Sequence, residues 1–166
     1  MTACVDTSVI LRLVLREAGA LEQLFLIQRV EPWFRNRLKR LIKTPKVHFL
    51  DPGLLAALLG LTAERIARDR ALFGLLLETF VFSEILKQST WLDEPCSLSH
   101  YRDKNQDEVD IVIEHDRSEL VGIEVKAAAT VTASDFKGLR KLADATRDAL
   151  RLGARPLRWR AHGPLR

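Results

Sequence analysis

The chain has 166 residues, 47% of them hydrophobic and 29% charged, which is the composition of a globular protein with one core of useful size. No apolar run approaches the roughly 20 residues that span a bilayer, and the N-terminus lacks the features of a signal peptide, so we expect a cytoplasmic protein with no membrane partner. The two cysteines form no CxxC motif and no Cys/His cluster, so neither a disulfide framework nor a structural zinc site is indicated, while a net charge of +4 favours a polyanionic partner.

The first residues contain "ACVDTSV", in which Asp6 can cap a helix that runs from Val9 to about Arg16. This segment resembles the start of a PIN-type ribonuclease, whose first acidic residue lies in such a stretch. No later set of acidic residues has PIN-like spacing, so Asp6 is interpreted as an N-cap. A PIN-like ribonuclease, or an antitoxin-type partner of one, remains the alternative.

A basic run interleaved with Trp33 and Phe34 follows, and it ends in a predicted turn at Pro45 and a strand from Val47 to Leu50. Lysine and arginine side chains that neutralise phosphates release counterions, which favours nucleic-acid binding. A solvated basic face is the equal alternative. The candidate phosphate-binding residues of this run are Arg35, Arg37, Lys39, Arg40, Lys43 and Lys46.

A short helix is predicted after Asp51, which serves as N-cap, with Pro52 in the first turn and Gly60 at the stop. Its leucines form a stripe at helical spacing, which predicts a buried face. The members of the stripe are Leu54, Leu55, Leu58 and Leu59.

A second helix is predicted from about Asp69 to Lys87, and it is apolar on nearly every side. It therefore packs deeply and carries Glu78 inward or to the rim of a cleft. A buried carboxylate must be paired or bound to a cation. The plain alternative to a site role is an ion pair between Glu78 and Arg102.

The pattern then changes from helical to alternating, which predicts a hairpin of two strands joined by the polar turn "EHDRSE". Asp110 lies on the first strand and Glu124 on the second, which runs from Leu120 to Val125. Because alternate side chains share a face, Glu124 and Lys126 point the same way, and in the correct register they face the same patch as Asp110. The residues expected together on the opposite face of the first strand are Val109, Ile111 and Ile113.

An amphipathic helix is predicted after this hairpin, capped by Thr132 or Ser134 and with an apolar side that runs on to Leu150. Its other side is basic, and Arg140 and Lys141 are further candidates for phosphate contact. The arginine-rich end of the chain is poorly patterned and is interpreted as a weak strand or a frayed tail.

The acidic residues predict a metal-dependent chemistry. Asp110, Glu124 and Glu78 offer hard oxygen ligands, which suit Mg2+ or Mn2+ far better than zinc. Such an ion polarises a phosphoryl oxygen and lowers the pKa of a bound water. Lys126 can orient the attacking water and offset the charge that develops in the transition state. A cross-strand ion pair on a solvent face is the bland alternative for Glu124 and Lys126.

The ordered set of Glu78 in "LLLETFV", Asp110 in "EVDIVIE", and Glu124 with Lys126 in "GIEVKAAA" resembles the PD-(D/E)XK nuclease superfamily, although Val109 replaces the proline of that name. More of the chain, from Leu21 to Ala149, resembles the domain of unknown function found C-terminal to prokaryotic AAA-type ATPases, here without the ATPase module. The resemblance implies a winged-helix-like remnant in residues 1–50, followed by a restriction-endonuclease-like domain in residues 51–166. The expected fold is α/β, a mixed β-sheet flanked by helices.

Two hypotheses follow for the function. The first is a metal-dependent phosphodiester hydrolase that acts on DNA, active or degenerate, in which Glu78, Asp110 and Glu124 bind Mg2+ or Mn2+ and Lys126 serves the nucleophile. The second is a noncatalytic DNA-binding or regulatory module that keeps the basic surface and binds no metal. DNA is the expected partner in both, and self-association into a homo-oligomer is left open.

Overall fold

The computed structural model describes residues 18–34, 44–115, 119–128, 130, 132–146 and 150–153. The elements, in chain order, are helix α1 (Ala18–Gln23), strands β1 (Ile27–Val30) and β2 (Lys46–Phe49), helices α2 (Pro52–Leu58), α3 (Ala63–Arg68) and α4 (Arg70–Ser89), strands β3 (Cys96–Arg102), β4 (Glu108–His115) and β5 (Glu119–Ile123), a 3-10 turn (Ala133–Phe136), helix α5 (Lys137–Thr146) and strand β6 (Leu150–Gly153).

Two sheets and the flanking helices make up the fold. Strands β1 and β2 pair antiparallel, and the larger sheet has the order β3-β4-β5-β6, in which only β5 and β6 are parallel neighbours. The predicted α/β class, with a mixed sheet flanked by helices, is confirmed. Because Leu150 is the first residue of β6, the prediction that it extends the apolar side of the preceding helix is wrong.

Local capping explains where the helices begin. The Asp51 carboxylate accepts hydrogen bonds from the Gly53 and Leu54 amides at 2.7 and 3.2 Å, which satisfies two of the free donors at the start of α2. Asp69 caps α4 in the same way. At the 3-10 turn, the Asp135 carboxylate accepts from the Thr132 amide at 2.7 Å. The predicted cap at Asp51 is therefore confirmed, and of the two predicted alternatives, Thr132 and Ser134, Thr132 is the N-cap. Asp69, the predicted start of the second helix, is its N-cap.

The helices are less deeply packed than their apolar composition predicts. In α2 the stripe of leucines is buried only at Leu55, and Leu58 is 57% exposed. In α4 the side chain of Phe80 is 48% exposed, while Phe82 is almost fully buried. A leucine stripe on a seven-residue helix needs a broad partner surface, and α2 meets mainly α4 and β2. Each helix therefore buries a narrower face than predicted.

Strand β4 contains a β-bulge at the centre of the sheet. Ser99 pairs with Val112 and Tyr101 with Val109, so that His100 alone opposes both Asp110 and Ile111. A bulge inserts one residue and breaks the alternation of faces. The prediction that Val109 shares a face with Ile111 and Ile113 is therefore wrong.

Strand β4 contributes to two apolar clusters because the bulge divides its side chains between them. One cluster is filled by α5, and the other by α4 together with Val30 of β1. The buried members of the first are Trp33, Val109, Val112, Leu120, Leu139 and Leu142. Those of the second are Val30, Val81, Phe82, Ile111 and Val125. Strands before residue 50 thus pack with helices after it, and the predicted domain boundary there stays a prediction.

Candidate functional site

The bulge, the end of β5 and the start of α5 enclose an open cavity of about 330 Å³. Three of the predicted site residues, Asp110, Glu124 and Lys126, line it together. The other lining residues are Gln106, Asp107, Glu108, Ser134, Asp135, Lys137 and Gly138. We call this cavity the carboxylate cleft. The hairpin thus places Asp110 and Glu124 on the same side, as alternation predicts for neighbouring strands.

Asp110 is held by hydrogen bonds at both carboxylate oxygens. Its Oδ2 accepts from the Val125 backbone amide at 2.8 Å, and its Oδ1 accepts from the Lys46 ammonium at 3.0 Å. Strand β5 ends at Ile123, two residues before the predicted end, and the Asp110 side chain takes the amide that the ladder leaves free. A carboxylate so fixed is oriented before any ligand arrives.

Glu124 is the most buried acid of the cleft, with 5% of its surface exposed. Its Oε1 lies 2.6 Å from the Lys126 ammonium, while its Oε2 is buried and has no hydrogen-bond partner among the described residues. Burial, reinforced by the charge of Asp110, raises the pKa of Glu124 to about 7. The carboxyl can therefore gain or lose a proton near neutral pH.

Glu78 lies beyond Asp110, on helix α4. Its Oε1 accepts a hydrogen bond from the Lys46 ammonium at 2.9 Å. Burial and the nearby charge of Asp110 raise the pKa of Glu78 above its ordinary value, although Lys46 opposes the shift. Arg102, the alternative partner proposed from the sequence, pairs with Glu108 instead. Glu78 is thus paired with a lysine that the sequence assigned to phosphate contact.

Lys46 lies among acids and not on an open basic face. Besides Glu78 and Asp110, its ammonium is 3.4 Å from Glu108 Oε2. Burial lowers the pKa of Lys46, but the charges of Asp110 and Glu78 outweigh that effect and raise it above its ordinary value. The side chain therefore carries a full positive charge at the centre of the acids.

Sequence reasoning missed His48, which faces the same acids two residues along β2. Its ring stacks on Phe82 with centroids 4.4 Å apart, and its Nε2 is 3.8 Å from Glu78 Oε1. Burial, then the charge of Lys46, lowers the pKa of His48 to about 4, so the ring is neutral at physiological pH. The period of two in "KVHF" could have placed Lys46 and His48 on one face.

The predicted metal ligands are only partly assembled. No group of three or more His, Cys, Asp or Glu side chains is arranged as a metal cage within residues 18–34, 44–115 and the shorter described stretches that follow. Lys46 takes one oxygen of Glu78 and one of Asp110. Asp110 and Glu124 nevertheless share the cleft, and their oxygens are the donor type that Mg2+ and Mn2+ prefer.

The other predicted phosphate-binding residues differ in whether an acid already pairs with their charge. Lys141 pairs with Asp103 at 2.7 Å and also with Asp107, whereas Arg140 is exposed and donates to the Ala133 carbonyl at 2.5 Å. Their role in binding nucleic acid stays a prediction. The remaining residues of that prediction, and Asp6 of the PIN-like stretch, lie outside the described residues: Arg35, Arg37, Lys39, Arg40 and Lys43.

The residues of the carboxylate cleft lie within the part of the chain that matches the model of a known protein family. The model of the "Domain of unknown function (DUF4143)" matches residues 73–159, which include Glu78, Asp110, Glu124 and Lys126. The model of the "Domain of unknown function (DUF8612)" matches residues 13–65, which include Lys46. No solved structure matches the chain. In the part of the chain that the structure describes, none of the helices has the length and apolar character needed to cross a membrane.

Two uncharacterised mycobacterial proteins are similar to the chain, one from Mycobacterium bovis and the other from Mycobacterium tuberculosis. Each is 32% identical over 120 residues, which is 72% of this chain and 26% of the relative. The chain therefore spans about a quarter of the length of these relatives.

Proposed function

The chain belongs to the DUF4143 family, whose domains occur C-terminal to AAA-type ATPases, and from that premise we propose that its carboxylate cleft hydrolyses phosphodiester bonds in DNA with the help of a divalent cation. The observation that carries the proposal is the convergence of Asp110, Glu124 and Lys126 on one open cavity. Two acids and a lysine in such a cleft supply the groups that hydrolysis of a phosphodiester requires.

Asp110 and Glu124 would hold the ion, and Glu78 would complete the ligand set directly or through water. Glu124 Oε2 supports this assignment, because a buried carboxylate oxygen without a hydrogen-bond donor is costly unless a cation satisfies it. A bound Mg2+ or Mn2+ supplies Lewis-acid polarisation of the phosphoryl oxygen and a more acidic water.

Lys126 acts on the water and on the developing charge. The Lys126 side chain is 36% exposed and is anchored to Glu124 at 2.6 Å, so its remaining N–H donors reach the cleft. These donors orient an attacking water and stabilise the negative charge of the transition state.

A second candidate function is a noncatalytic DNA-binding or regulatory module. One observation favours it: the Lys46 ammonium lies between Glu78 and Asp110, where it neutralises acids that would otherwise attract a metal ion. A protein of this kind keeps its surface charges, binds nucleic acid without cleaving it and shows no dependence on Mg2+.

A cleavage assay separates the two candidates. Purified protein is incubated with plasmid, linear and single-stranded DNA and with Mg2+ or Mn2+, alongside Asp110→Asn and Lys126→Ala. Asp144→Asn and Lys87→Ala are matched controls, because both residues are exposed on helices away from the cleft. Cleavage that both cleft variants lose while DNA binding is retained supports the hydrolase. Cleavage that is unchanged in them indicates a contaminant and favours the noncatalytic module.

A further inference from the structure

Lys46 occupies the position of a cation between strand β4 and helix α4. Its ammonium is 2.9 Å from Glu78 Oε1, 3.0 Å from Asp110 Oδ1 and 3.4 Å from Glu108 Oε2. An ammonium group is a compact point charge with three donors, and here three carboxylates surround it. The arrangement is that of an ion-binding site whose ion is tethered to the chain.

The local charges balance differently with a tethered and with a free cation. Four carboxylates carry the negative charge of the ion-pair network around Lys46 and Lys126 when ionised: Glu78, Glu108, Asp110 and Glu124. The other two acids that line the cleft have partners outside this network, Asp107 in Lys137 and Lys141 and Asp135 in Thr132. Three cationic groups oppose them: Lys46, Arg102 and Lys126. One negative charge is left over, and a divalent ion that enters beside Lys46 would reverse that excess. If the ion enters and the Lys46 ammonium leaves, the four negative charges are matched by Arg102, Lys126 and the two charges of the ion. The net charge of the network is then zero.

We propose that Lys46 is an internal cation that competes with a divalent metal ion for Asp110 and Glu78, and that it thereby sets the metal affinity of the carboxylate cleft. This inference rests on the proposed function, because it assumes that the cleft can hold a metal ion. It assigns to Lys46 a role in cation selectivity in place of the phosphate contact expected from the sequence.

Glu124 is the independent observation that indicates a ligand. Glu124 lines the cleft, and its Oε2 is buried and receives no hydrogen bond from any described residue. Lys46 satisfies Asp110 and Glu78 but leaves this oxygen unsatisfied. The cleft thus retains capacity to coordinate a cation that the tethered ammonium does not fill.

The Lys46 ammonium can move out of the group of carboxylates into water. Its side chain is 23% exposed, and strand β2 pairs only with β1 in the two-stranded sheet. A long lysine stem can move its charged end into water while its carbon atoms stay packed. Displacement therefore needs a change of rotamer and no change of fold.

Direct binding of Mn2+ tests the inference without an activity assay. The full chain, Lys46→Gln and Lys46→Arg are titrated with Mn2+, and free Mn2+ is measured by electron paramagnetic resonance. Lys46→Gln is expected to bind Mn2+ about tenfold or more tightly than the wild type, because a unit charge within a few ångströms is removed. Lys46→Arg keeps the charge and is expected to bind no more tightly than the wild type. Asp110→Asn in the Lys46→Gln background is expected to lose the gain.

The possible results of the Mn2+ titration separate the role of Lys46 from the proposed hydrolase function. Equal Mn2+ affinity of the wild type and Lys46→Gln overturns the role of Lys46 and leaves the metal-dependent hydrolase standing. Absence of Mn2+ binding in every variant overturns both. If Lys46→Gln is unfolded without metal, circular dichroism replaces the titration. Mn2+ must then restore its folded spectrum, and also that of Lys46→Met, and failure to do so overturns the inference.

Discussion

The backbone of Gly138, at the start of helix α5, lies directly against the backbone of Glu108, at the start of strand β4. A Cβ atom added at Gly138 would come within 1.7 Å of the Glu108 carbonyl oxygen. Glycine is therefore required here by close approach and not by an unusual backbone angle. The contact joins the helix to the strand that carries Asp110, so it also shapes the floor of the carboxylate cleft.

Gly138→Ala is expected to destabilise the protein by about 3 kcal/mol, because the added methyl group forces α5 away from β4. Chemical denaturation followed by circular dichroism measures the free energy of unfolding. The change should also weaken any function that depends on the cleft, since Gly138 lines it.

Gly74→Ala is the matched control, because Gly74 is also a helical glycine. An added Cβ there would lie 3.7 Å from the Ala127 Cβ, which is an ordinary contact. The substitution should stabilise the protein by about 0.5–1 kcal/mol, since alanine favours the helix over glycine. Equal destabilisation by both substitutions would contradict the assignment of the Gly138→Ala effect to its close approach to Glu108.

Local chemistry made part of this fold predictable from the sequence. Asp51 and Asp69 accept from amides within three residues of themselves, and the Thr132 amide donates to Asp135, so short-range patterns sufficed to place the helix starts. The neighbouring positions of Asp110 and Glu124 followed from the hairpin, which is also a local element. Their nuclease role is a prediction that the assay above decides.

The bulge and the place of Lys46 could not be predicted because both depend on distant partners. The bulge at Asp110 is defined by its pairing with strand β3, where His100 opposes two residues of β4. The sequence of β4 alone does not show this register. Lys46 contacts residues 32 and 64 positions away, and the basic run around it gives no sign of these partners. A lysine in a basic stretch of sequence can still be surrounded by acids in the fold.

Two buried histidines should make the protein sensitive to acid. Burial is the largest cause that lowers the pKa of His48 and of His100 to about 4, from an ordinary value of 6.5. The unfolded chain therefore takes up protons first as the pH falls. The contribution of these histidines to stability is fully present above pH 6.5 and is lost as the pH falls toward 4, whereas the raised pKa of Glu124 acts in the opposite direction over the same range.

The expected loss between about pH 8 and pH 5 is about 2 kcal/mol for each histidine. Urea denaturation at a series of pH values measures it. His48→Gln should reduce the pH dependence by about half of the combined effect, because glutamine does not titrate. An unchanged slope in His48→Gln would contradict the assignment of acid sensitivity to this residue.

Asp110→Ala should cost about 2–3 kcal/mol of stability, even if the cleft has no catalytic role. It removes the acceptor of the buried Val125 amide and one of the partners of the Lys46 ammonium. A buried donor left without a partner costs its full desolvation penalty. Lys126→Ala should cost less than about 1 kcal/mol, because its ammonium is partly exposed. A loss below about 1 kcal/mol for Asp110→Ala in thermal or urea unfolding would mean that these hydrogen bonds do not stabilise the fold, and its activity data would then need no correction for stability.

Arg140 and Lys141 are adjacent on helix α5 but should differ in DNA binding, if the proposed DNA partner is correct. Lys141 is engaged by Asp103 and Asp107, whereas Arg140 is exposed and can turn its charge toward a phosphate. A residue that neutralises one phosphate contributes about 1 to the slope of log affinity against log salt concentration. Arg140→Gln should therefore lower that slope by about 1, and Lys141→Gln should lower it by much less. Fluorescence anisotropy with labelled duplex DNA at several salt concentrations measures both slopes. If Lys141→Gln lowers the slope as much as Arg140→Gln, Asp103 and Asp107 do not hold Lys141 in solution. If the DNA affinity of the wild-type protein does not depend on salt concentration, nucleic acid is excluded as the partner.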